Sequence, residues 1–224
     1  AISEMMDGFG EACIEQKIIV PGGEIAELPG QVKGIIWNAT AVGIVEKSKF
    51  IDGSKVKEGD VILGLRSAGF RSNGFSLVRR ILTDKFGENW VSADYGDGRT
   101  CGEVVLVPSL IYHRALLGVL GGFGETRKID VHGLAHITGG GLLANTERVV
   151  REEKGLRPIF DNLWEPHEAM LKLMEIGKVP EEDAKETWNM GTGMVLIIDE
   201  KDASAIIEAL SEFRVERIGR IDML

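Results

Sequence analysis

Apolar residues in this chain follow two patterns, one typical of amphipathic helices and one typical of buried strands. Apolar side chains that recur every three or four positions predict helices in four segments: residues 1–16, 75–82, 165–177 and 202–213. Continuous apolar runs predict strands in four others: residues 34–45, 61–65, 195–198 and 217–221. The long run at 34–45 is predicted to be buried on both faces or paired in the sheet of a dimer. Helices and strands therefore share the chain.

Residues 46–60 separate these apolar segments with a polar, lysine-rich stretch that contains two glycines. Such a composition is typical of a connection rather than of a helix or a strand. We therefore predict a domain boundary there. One domain comprises residues 1–55 and the next comprises residues 56–224.

The most informative stretch is His136-Ile137-Thr138-Gly139-Gly140-Gly141, which lies between a predicted short strand at 129–131 and a predicted helix from Leu142. Glycine lets the backbone approach a ligand closely, and the first amides of the following helix favour an anion. Thr138 adds a hydroxyl group and His136 adds a ring nitrogen. The stretch therefore predicts an anion pocket, and the alternative is a tight turn with a glycine cap.

A second strand, glycine-rich loop and helix occupy residues 61–82, with the loop at Arg66–Gly74. The same physical argument predicts anion binding here. Arg66 or Arg71 can pair with a phosphate, although an arginine in a loop is more often an ordinary surface charge. Ser72 can contact a ligand, and its alternative role is the N-cap of the helix.

Two carboxylates, Glu24 and Glu27, lie three residues apart in a loop that begins with Gly22 and Gly23. Loop carboxylates beside glycines suit Mg²⁺, which shares its remaining ligands with water and phosphate. The motif therefore predicts a metal loop. The alternative is a solvated acidic turn.

The segment Asn189-Met190-Gly191-Thr192-Gly193 comes before the strand at 195–198. A dinucleotide-binding glycine loop follows its strand instead, so this segment is not such a loop. Its glycines are predicted to let another backbone or a ligand approach the sheet closely.

Composition narrows the class of protein. The chain has 224 residues, 44% of them apolar and 27% charged, as is usual for a globular protein with a large core. A net charge of −9 argues against a general nucleic-acid or anionic-membrane surface. Cys13 and Cys101 lack metal-ligand spacing, and neither a signal peptide nor a membrane span is visible, so we expect a cytoplasmic protein. Because Ala1 already lies in a predicted helix, we expect a piece of a longer protein.

Five motifs occur in a specific order: GGEIAELPG at 22–30, FIDGSKVKEGDVILGL at 50–65, SNGFSLVRRIL at 72–82, HITGGGLL at 136–143 and NMGTGM at 189–194. Together they resemble the aminoimidazole ribonucleotide synthetases of purine biosynthesis, also called phosphoribosylformylglycinamidine cyclo-ligases. The resemblance runs from about Gly10 to Ile221. It implies an ATP-dependent ring closure: ATP activates the formyl oxygen of formylglycinamidine ribonucleotide, the amidine nitrogen attacks that carbon, and phosphate leaves.

The resemblance also implies a fold and a set of site residues. The fold would be α+β with two domains, whose mixed sheets are covered by helices, in a homodimer. ATP and Mg²⁺ would be the cofactors. Four residues would lie near the nucleotide: Gly22, Gly23, Glu24 and Glu27. Glu24 would also bind the metal. Ten residues would bind the substrate: Arg71, Ser72, Asn73, Gly74, Thr138, Gly139, Gly140, Gly141, Asn189 and Gly191. His136 is the candidate catalytic residue, with a hydrogen-bonded structural role as the alternative.

The chain departs from the family pattern at two points. Family members carry an upstream nucleotide segment of the type Asp-Gly-Val-Gly-Thr-Lys and an Asn-Asp pair around the metal, which these 224 residues do not contain. The loop before SNG commonly reads Ser-Ser-Gly-Pro-His, whereas here Arg71 replaces the histidine. Two alternative functions stay open. One is a non-catalytic partner that binds a phosphorylated ligand, and the other is an ATP-dependent enzyme of the same superfamily, such as selenophosphate synthetase, thiamine-phosphate kinase or the large amidotransferase-linked synthetase.

Overall fold

In the computed structural model, which describes residues 2–150 and 152–224, the chain divides into two compact units, Ala1–Glu46 and Lys47–Leu224. The polar stretch at 46–60 therefore begins where one unit passes into the other. The boundary predicted between residues 55 and 56 concerns the domains of the family and stays a prediction.

The first unit contains one helix among its described residues, α1 (Ile2–Glu15), which confirms the helix predicted there. Phe9 on α1 packs edge-on against Trp37, with 5.3 Å between the ring centroids. Residues 16–46 form no strand, so a strand at 34–45 buried on both faces within this chain is wrong, while its pairing in the sheet of a dimer stays a prediction. A strand needs a neighbour for its backbone N–H and C=O groups, and the described chain provides none here. The apolar side chains consequently stay in solvent, and Val42 is 92% exposed.

The second unit is built on a sheet of five strands: β1 (Val61–Arg66), β2 (Val131–His136), β3 (Leu156–Phe160), β4 (Thr192–Ile198) and β5 (Val215–Met223). Their order across the sheet is β2-β4-β1-β5-β3. Every neighbouring pair is antiparallel. β1 lies at the centre, and its residues 61–65 are all buried because helices cover both faces of the sheet.

The described residues of the second unit form seven helices: α2 (Phe75–Phe86), α3 (Cys101–Val105), α4 (His113–Leu120), α5 (Gly141–Val150), α6 (Glu168–Gly177), α7 (Glu181–Thr187) and α8 (Ala203–Ala209). α5 packs on one face of the sheet, over a core that contains Ile62. α4 and α8 pack on the other face, over a core that contains Leu63. The remaining four helices enclose a separate core around Phe70 and Trp188, whose rings meet edge-on at 5.2 Å.

The predicted α+β class is confirmed, and so are both strand–turn–helix units. β1 leads through residues 67–74 into α2, and β2 leads through residues 137–140 into α5. β2 begins at Val131, so the strand predicted at 129–131 overlaps it at that residue alone, and the pairing with β4 continues to His136. Across the described ranges, every helix is too short or too polar to span a bilayer.

We expect the Leu196→Ala substitution to lower the free energy of unfolding by about 2–5 kcal/mol, the usual cost of truncating a buried leucine. Leu196 is fully buried on β4, opposite Leu63 of β1 and Leu134 of β2. The matched control is Leu106→Ala, because Leu106 is 60% exposed and such a truncation changes stability by about 0.5 kcal/mol or less. Denaturant unfolding measures both values, and equal losses would contradict this assignment of the core.

Candidate functional site

The carboxyl ends of β1 and β2 lie beside the amino end of β4, because β4 runs antiparallel to both of these neighbours. The register places Arg66 opposite Thr192 and His136 opposite Met194. Three segments therefore meet at one edge of the sheet: residues 66–74, 136–141 and 188–193. We call this arrangement the three-loop site. It brings together three of the motifs that lie far apart in the sequence.

Arg71 joins the other two loops of the site. Its Nη1 donates to the carbonyl oxygens of Ile137, at 3.2 Å, and Gly193. Its Nη2 contacts Nε2 of His136. Arg71 has a φ of +62°, a conformation that a residue with a side chain keeps only where surrounding contacts enforce it.

The charge of Arg71 has no carboxylate partner among the described residues. The guanidinium instead lies over the ring of Tyr112, 5.8 Å from its centroid. Burial lowers the pKa of Arg71, yet an arginine stays protonated in proteins. Its positive charge is therefore left available to an anion.

The glycine turn offers fewer free amides than the sequence predicted. The N–H of Gly140 donates to the carbonyl oxygen of Glu186 at 2.8 Å. The N–H of Gly141 donates to the carbonyl oxygen of Thr138 at 3.1 Å. The N–H groups of Thr138 and Gly139 have no hydrogen-bond partner within the part of the chain that the structure describes. An anion would therefore meet these two amides, together with unpaired amides in the first turn of α5.

Asn145 holds the shape of the glycine turn, and the sequence reasoning missed it. Its Nδ2 donates to the carbonyl oxygens at positions 138, 139 and 141, at 3.3, 3.2 and 2.7 Å. Its Oδ1 accepts a hydrogen bond from Thr138 Oγ1 at 3.2 Å. The only available signal was an amide side chain that follows a run of glycines at the start of a helix.

Asn189 ties the first loop to the third. Its Oδ1 accepts from Ser67 Oγ and from the N–H of Gly191, both at 2.8 Å. Its Nδ2 donates to the carbonyl oxygens of Gly69, at 2.9 Å, and Phe70, at 3.3 Å. These bonds use the donors and acceptors of the buried amide, so its contribution to ligand binding would be to hold the loops in place.

Two glycines, Gly191 just before β4 and Gly193 near its start, leave the space that neighbouring side chains occupy. A Cβ at Gly191 would lie 2.4 Å from Nη1 of Arg66, and a Cβ at Gly193 would lie 2.1 Å from Oη of Tyr112. Arg66 in turn stacks over the ring of Trp164, 5.3 Å from its centroid. The close approach predicted for these glycines is therefore made by side chains of the same chain.

His167 also contacts the site, although its sequence context gave no indication of this. Its Nε2 lies 2.6 Å from the carbonyl oxygen of Ser67, so Nε2 donates and carries a proton. Burial and the charge of Arg66 lower the pKa of His167 and keep the ring neutral. Because Nε2 is a donor, it cannot accept the hydroxyl proton of Ser67, which argues against a serine nucleophile.

Ser72, Asn73 and Gly74 lie on the loop that leads into α2. Gly74 is the N-cap of α2, with a φ of +73°, so the alternative in which Ser72 caps this helix is wrong. The side chains of Ser72, which is exposed, and Asn73, which is half-buried, make no hydrogen bond to the described residues. Both remain accessible to a ligand.

The four residues predicted near the nucleotide lie in the first unit, in an exposed segment without helix or strand: Gly22, Gly23, Glu24 and Glu27. Among the residues that the structure describes, no three His, Cys, Asp or Glu side chains come together as metal ligands. Two loop carboxylates suffice for Mg²⁺ only where phosphate and water supply the other ligands. These residues therefore fit part of a Mg²⁺–nucleotide site, not a complete one.

A family model described as AIR synthase related protein, C-terminal domain, matches residues 57–222. The chain belongs to this family. The matched range contains all three loops of the three-loop site. The part of the chain that matches this domain therefore contains Arg71 and the unpaired amides of the glycine turn.

Two curated relatives that the chain resembles share one name. The chain is 41% identical to a phosphoribosylformylglycinamidine cyclo-ligase from Fusobacterium nucleatum, across 98% of this chain and 64% of the relative. It is 37% identical to one from Methanocaldococcus jannaschii, across 96% of this chain and 59% of the relative. The chain thus spans about three fifths of the length of these relatives. Among solved structures it is similar to T. maritima PurL complexed with FGAR, with 17% identity and a TM-score of 0.47, across 79% of this chain and 26% of that one.

We expect stability to depend on pH through His167. Its folded pKa lies below the ordinary value of about 6.5, so the unfolded chain binds more protons as the pH falls below that value. The free energy of unfolding should therefore fall from pH 7 towards pH 5, and His167→Gln should reduce this slope. The matched control is His113→Gln, which changes an exposed side chain at the start of α4 and should keep the parent slope. Urea unfolding at several pH values measures the slopes, and an unchanged slope in His167→Gln would contradict the assignment.

Proposed function

We propose that this chain is the greater part of a phosphoribosylformylglycinamidine cyclo-ligase, an ATP-dependent enzyme of purine biosynthesis. The observation that carries the proposal is the meeting of three family motifs at one edge of the sheet, around an arginine without a carboxylate partner. The names of the relatives favour the cyclo-ligase over the selenophosphate synthetase and thiamine-phosphate kinase alternatives. Because the chain spans about three fifths of those relatives, activity is proposed for the complete protein.

The three-loop site would bind the phosphate or ribose of formylglycinamidine ribonucleotide. The unpaired amides of Thr138 and Gly139 are donors, and the amino end of α5 adds a partial positive charge. Arg71 supplies a full charge, and charge-assisted hydrogen bonds to phosphate are among the strongest in proteins. Ser72 and Asn73 add side chains whose polar groups have no described partner.

Catalysis would come from positioning and charge, because phosphoryl transfer demands little covalent chemistry from the protein. ATP, when bound, supplies the phosphoryl group that makes the formyl oxygen a leaving group, and Mg²⁺ balances the phosphate charge. Glu24 and Glu27 would contribute carboxylates to that metal, and Gly22 and Gly23 would let their loop approach the nucleotide. The remaining ligands would come from a part of the enzyme outside these 224 residues.

We further propose that the protein forms homodimers and works in the cytoplasm. Residues 34–45 expose apolar side chains that a monomer would leave in water, among them Ile36 at 68% and Ile44 at 74%. A strand from a second subunit would cover them and satisfy their backbone groups. The cytoplasm fits two buried, unpaired cysteines.

Gly139→Val tests the anion site in the complete protein. A Cβ at position 139 meets no atom within 4 Å, so the substitution should leave folding nearly unchanged, yet it should crowd an unpaired amide. We expect KM for formylglycinamidine ribonucleotide to rise on the order of tenfold or more, the effect of losing a hydrogen bond to a charged group. KM for ATP should change little. Gly140 is a poorer test, because its φ of +94° would strain any side chain.

The matched control for this test is Gly118→Val, which places the same side chain in open space on exposed α4. Its KM for the ribonucleotide should equal that of the parent enzyme. A Gly139→Val enzyme with parent KM and parent melting temperature would mean that the glycine turn is only a turn.

The 224-residue chain by itself should bind ATP weakly and close no ring, because part of the nucleotide site is proposed to lie outside it. It should also self-associate through residues 34–45. Titration calorimetry with ATP, a turnover assay and sedimentation equilibrium measure these properties. A monomeric chain with full activity would contradict both expectations. Self-association together with phosphate binding but no turnover in the complete protein would instead favour the non-catalytic partner.

A further inference from the structure

We infer that Arg71 holds His136 as a neutral ring with its proton on Nδ1, so that His136 offers the three-loop site a hydrogen-bond donor instead of a proton acceptor. The catalytic role of this donor rests on the proposed function. The state of the ring itself rests on the geometry around Arg71 alone.

The argument begins with the contact between Nη2 of Arg71 and Nε2 of His136. A guanidinium has five N–H donors and no acceptor. Nε2 must therefore accept, and it can accept only when it carries no proton. In a doubly protonated ring, or in a neutral ring with its proton on Nε2, an N–H of His136 would point at an N–H of Arg71. The neutral ring with its proton on Nδ1 is the form that fits.

The second step is that Arg71 has no freedom to leave this contact. Its Nη1 is anchored on two carbonyl oxygens, those of Ile137 and Gly193, and its plane lies over Tyr112. Its backbone is held at a φ of +62°. Arg71 therefore acts as a positioning residue for His136. Partial burial of the ring, and then the charge of Arg71, lower the pKa of His136, which agrees with the geometry.

The third step concerns the other nitrogen of the ring. Nδ1 of His136 makes no hydrogen bond to any residue that the structure describes, and the side chain is exposed at the end of β2. Its N–H is therefore free to donate to a ligand. The unpaired amides of Thr138 and Gly139 follow two and three residues later in the same loop. The ligand class that suits such donors is an oxygen with negative charge, such as a phosphate oxygen or a developing oxyanion.

This assignment separates a donor role for His136 from general acid–base catalysis. A general base needs an unprotonated nitrogen that faces the substrate, and here that nitrogen faces Arg71. The arginine at position 71 therefore has a consequence beyond its charge. It fixes which ring nitrogen of His136 the ligand meets.

Nitrogen-15 NMR of the histidine rings in the 224-residue chain tests the inference without any turnover. The spectrum of the parent should show His136 as the Nδ1–H tautomer with a pKa below about 6.5, and the missing signal in His136→Asn assigns the peak. Arg71→Met should shift the ring towards Nε2–H and raise its pKa. Arg71→Gly, which suits the positive φ, should do the same if Arg71→Met folds poorly.

The matched control is Arg79→Met, since Arg79 is an exposed arginine on α2 that donates to the carbonyl oxygen of Phe75 in the same helix. Its His136 signals should equal those of the parent. An Nε2–H tautomer in the parent, or His136 signals that Arg71→Met and Arg71→Gly leave unchanged, would overturn the inference.

Activity of the complete enzyme then tests the role of the donor. The side-chain nitrogen of asparagine reaches the position of Nδ1, whereas that of glutamine reaches the position of Nε2. His136→Asn should therefore keep much more of kcat than His136→Gln. Equal losses of about 100-fold or more in both would indicate proton transfer and contradict the donor role. A parent enzyme without cyclisation would refute the proposed function and leave the NMR result standing.

Discussion

The pairing of β4 with β1 on one side and with β2 on the other is the constraint on which the candidate site depends. Antiparallel neighbours place the end of one strand beside the start of the other. The ends of β1 and β2 therefore lie beside the start of β4, at one edge of the sheet. Every loop of the three-loop site leaves the sheet at that edge. Leu63 and Leu196 face each other across this pairing, and their burial fixes the register, because a slip of one residue would move one of these side chains out of the core under α4 and α8 to the opposite face of the sheet.

Close packing at this edge restricts which residues can stand there. Gly141 is the clearest case: it has a φ of +67°, and a Cβ at this position would lie 1.7 Å from the carbonyl oxygen of Lys185 on α7. Gly191 and Gly193 leave room for the guanidinium of Arg66 and the hydroxyl of Tyr112. The glycines that look like ligand-binding residues in the sequence therefore also serve the packing of the chain itself. Both requirements select glycine at the same positions.

Neutral side chains make many of the hydrogen bonds that hold the loops. The guanidinium groups of Arg71 and Arg66 have no carboxylate partner among the described residues. Asn145 and Asn189 are buried amides that hydrogen-bond to the loops, and His167 is held neutral against Ser67. Such a network fixes donors in advance, so that a ligand does not have to order them when it binds. A carboxylate in place of either asparagine would instead neutralise the cations that an anionic ligand needs.

The sequence by itself indicated the helices α1, α2, α5, α6 and α8, the strands β1, β4 and β5, and the two strand–turn–helix units, because these follow from local periodicity and from glycine chemistry. It also indicated family membership through the order of the motifs. Tertiary structure decided the rest. Periodicity cannot tell whether a strand finds a neighbour, so residues 34–45 were predicted as a strand but are exposed and form none within the described chain. Glycine runs predict free amides, yet contacts from α7 and within the turn occupy those of Gly140 and Gly141. His167 contacts Ser67, which lies far from it in the sequence, so no local pattern reveals this contact. Asn145 bonds within its own turn, and its position after the glycine run was the only signal of that role.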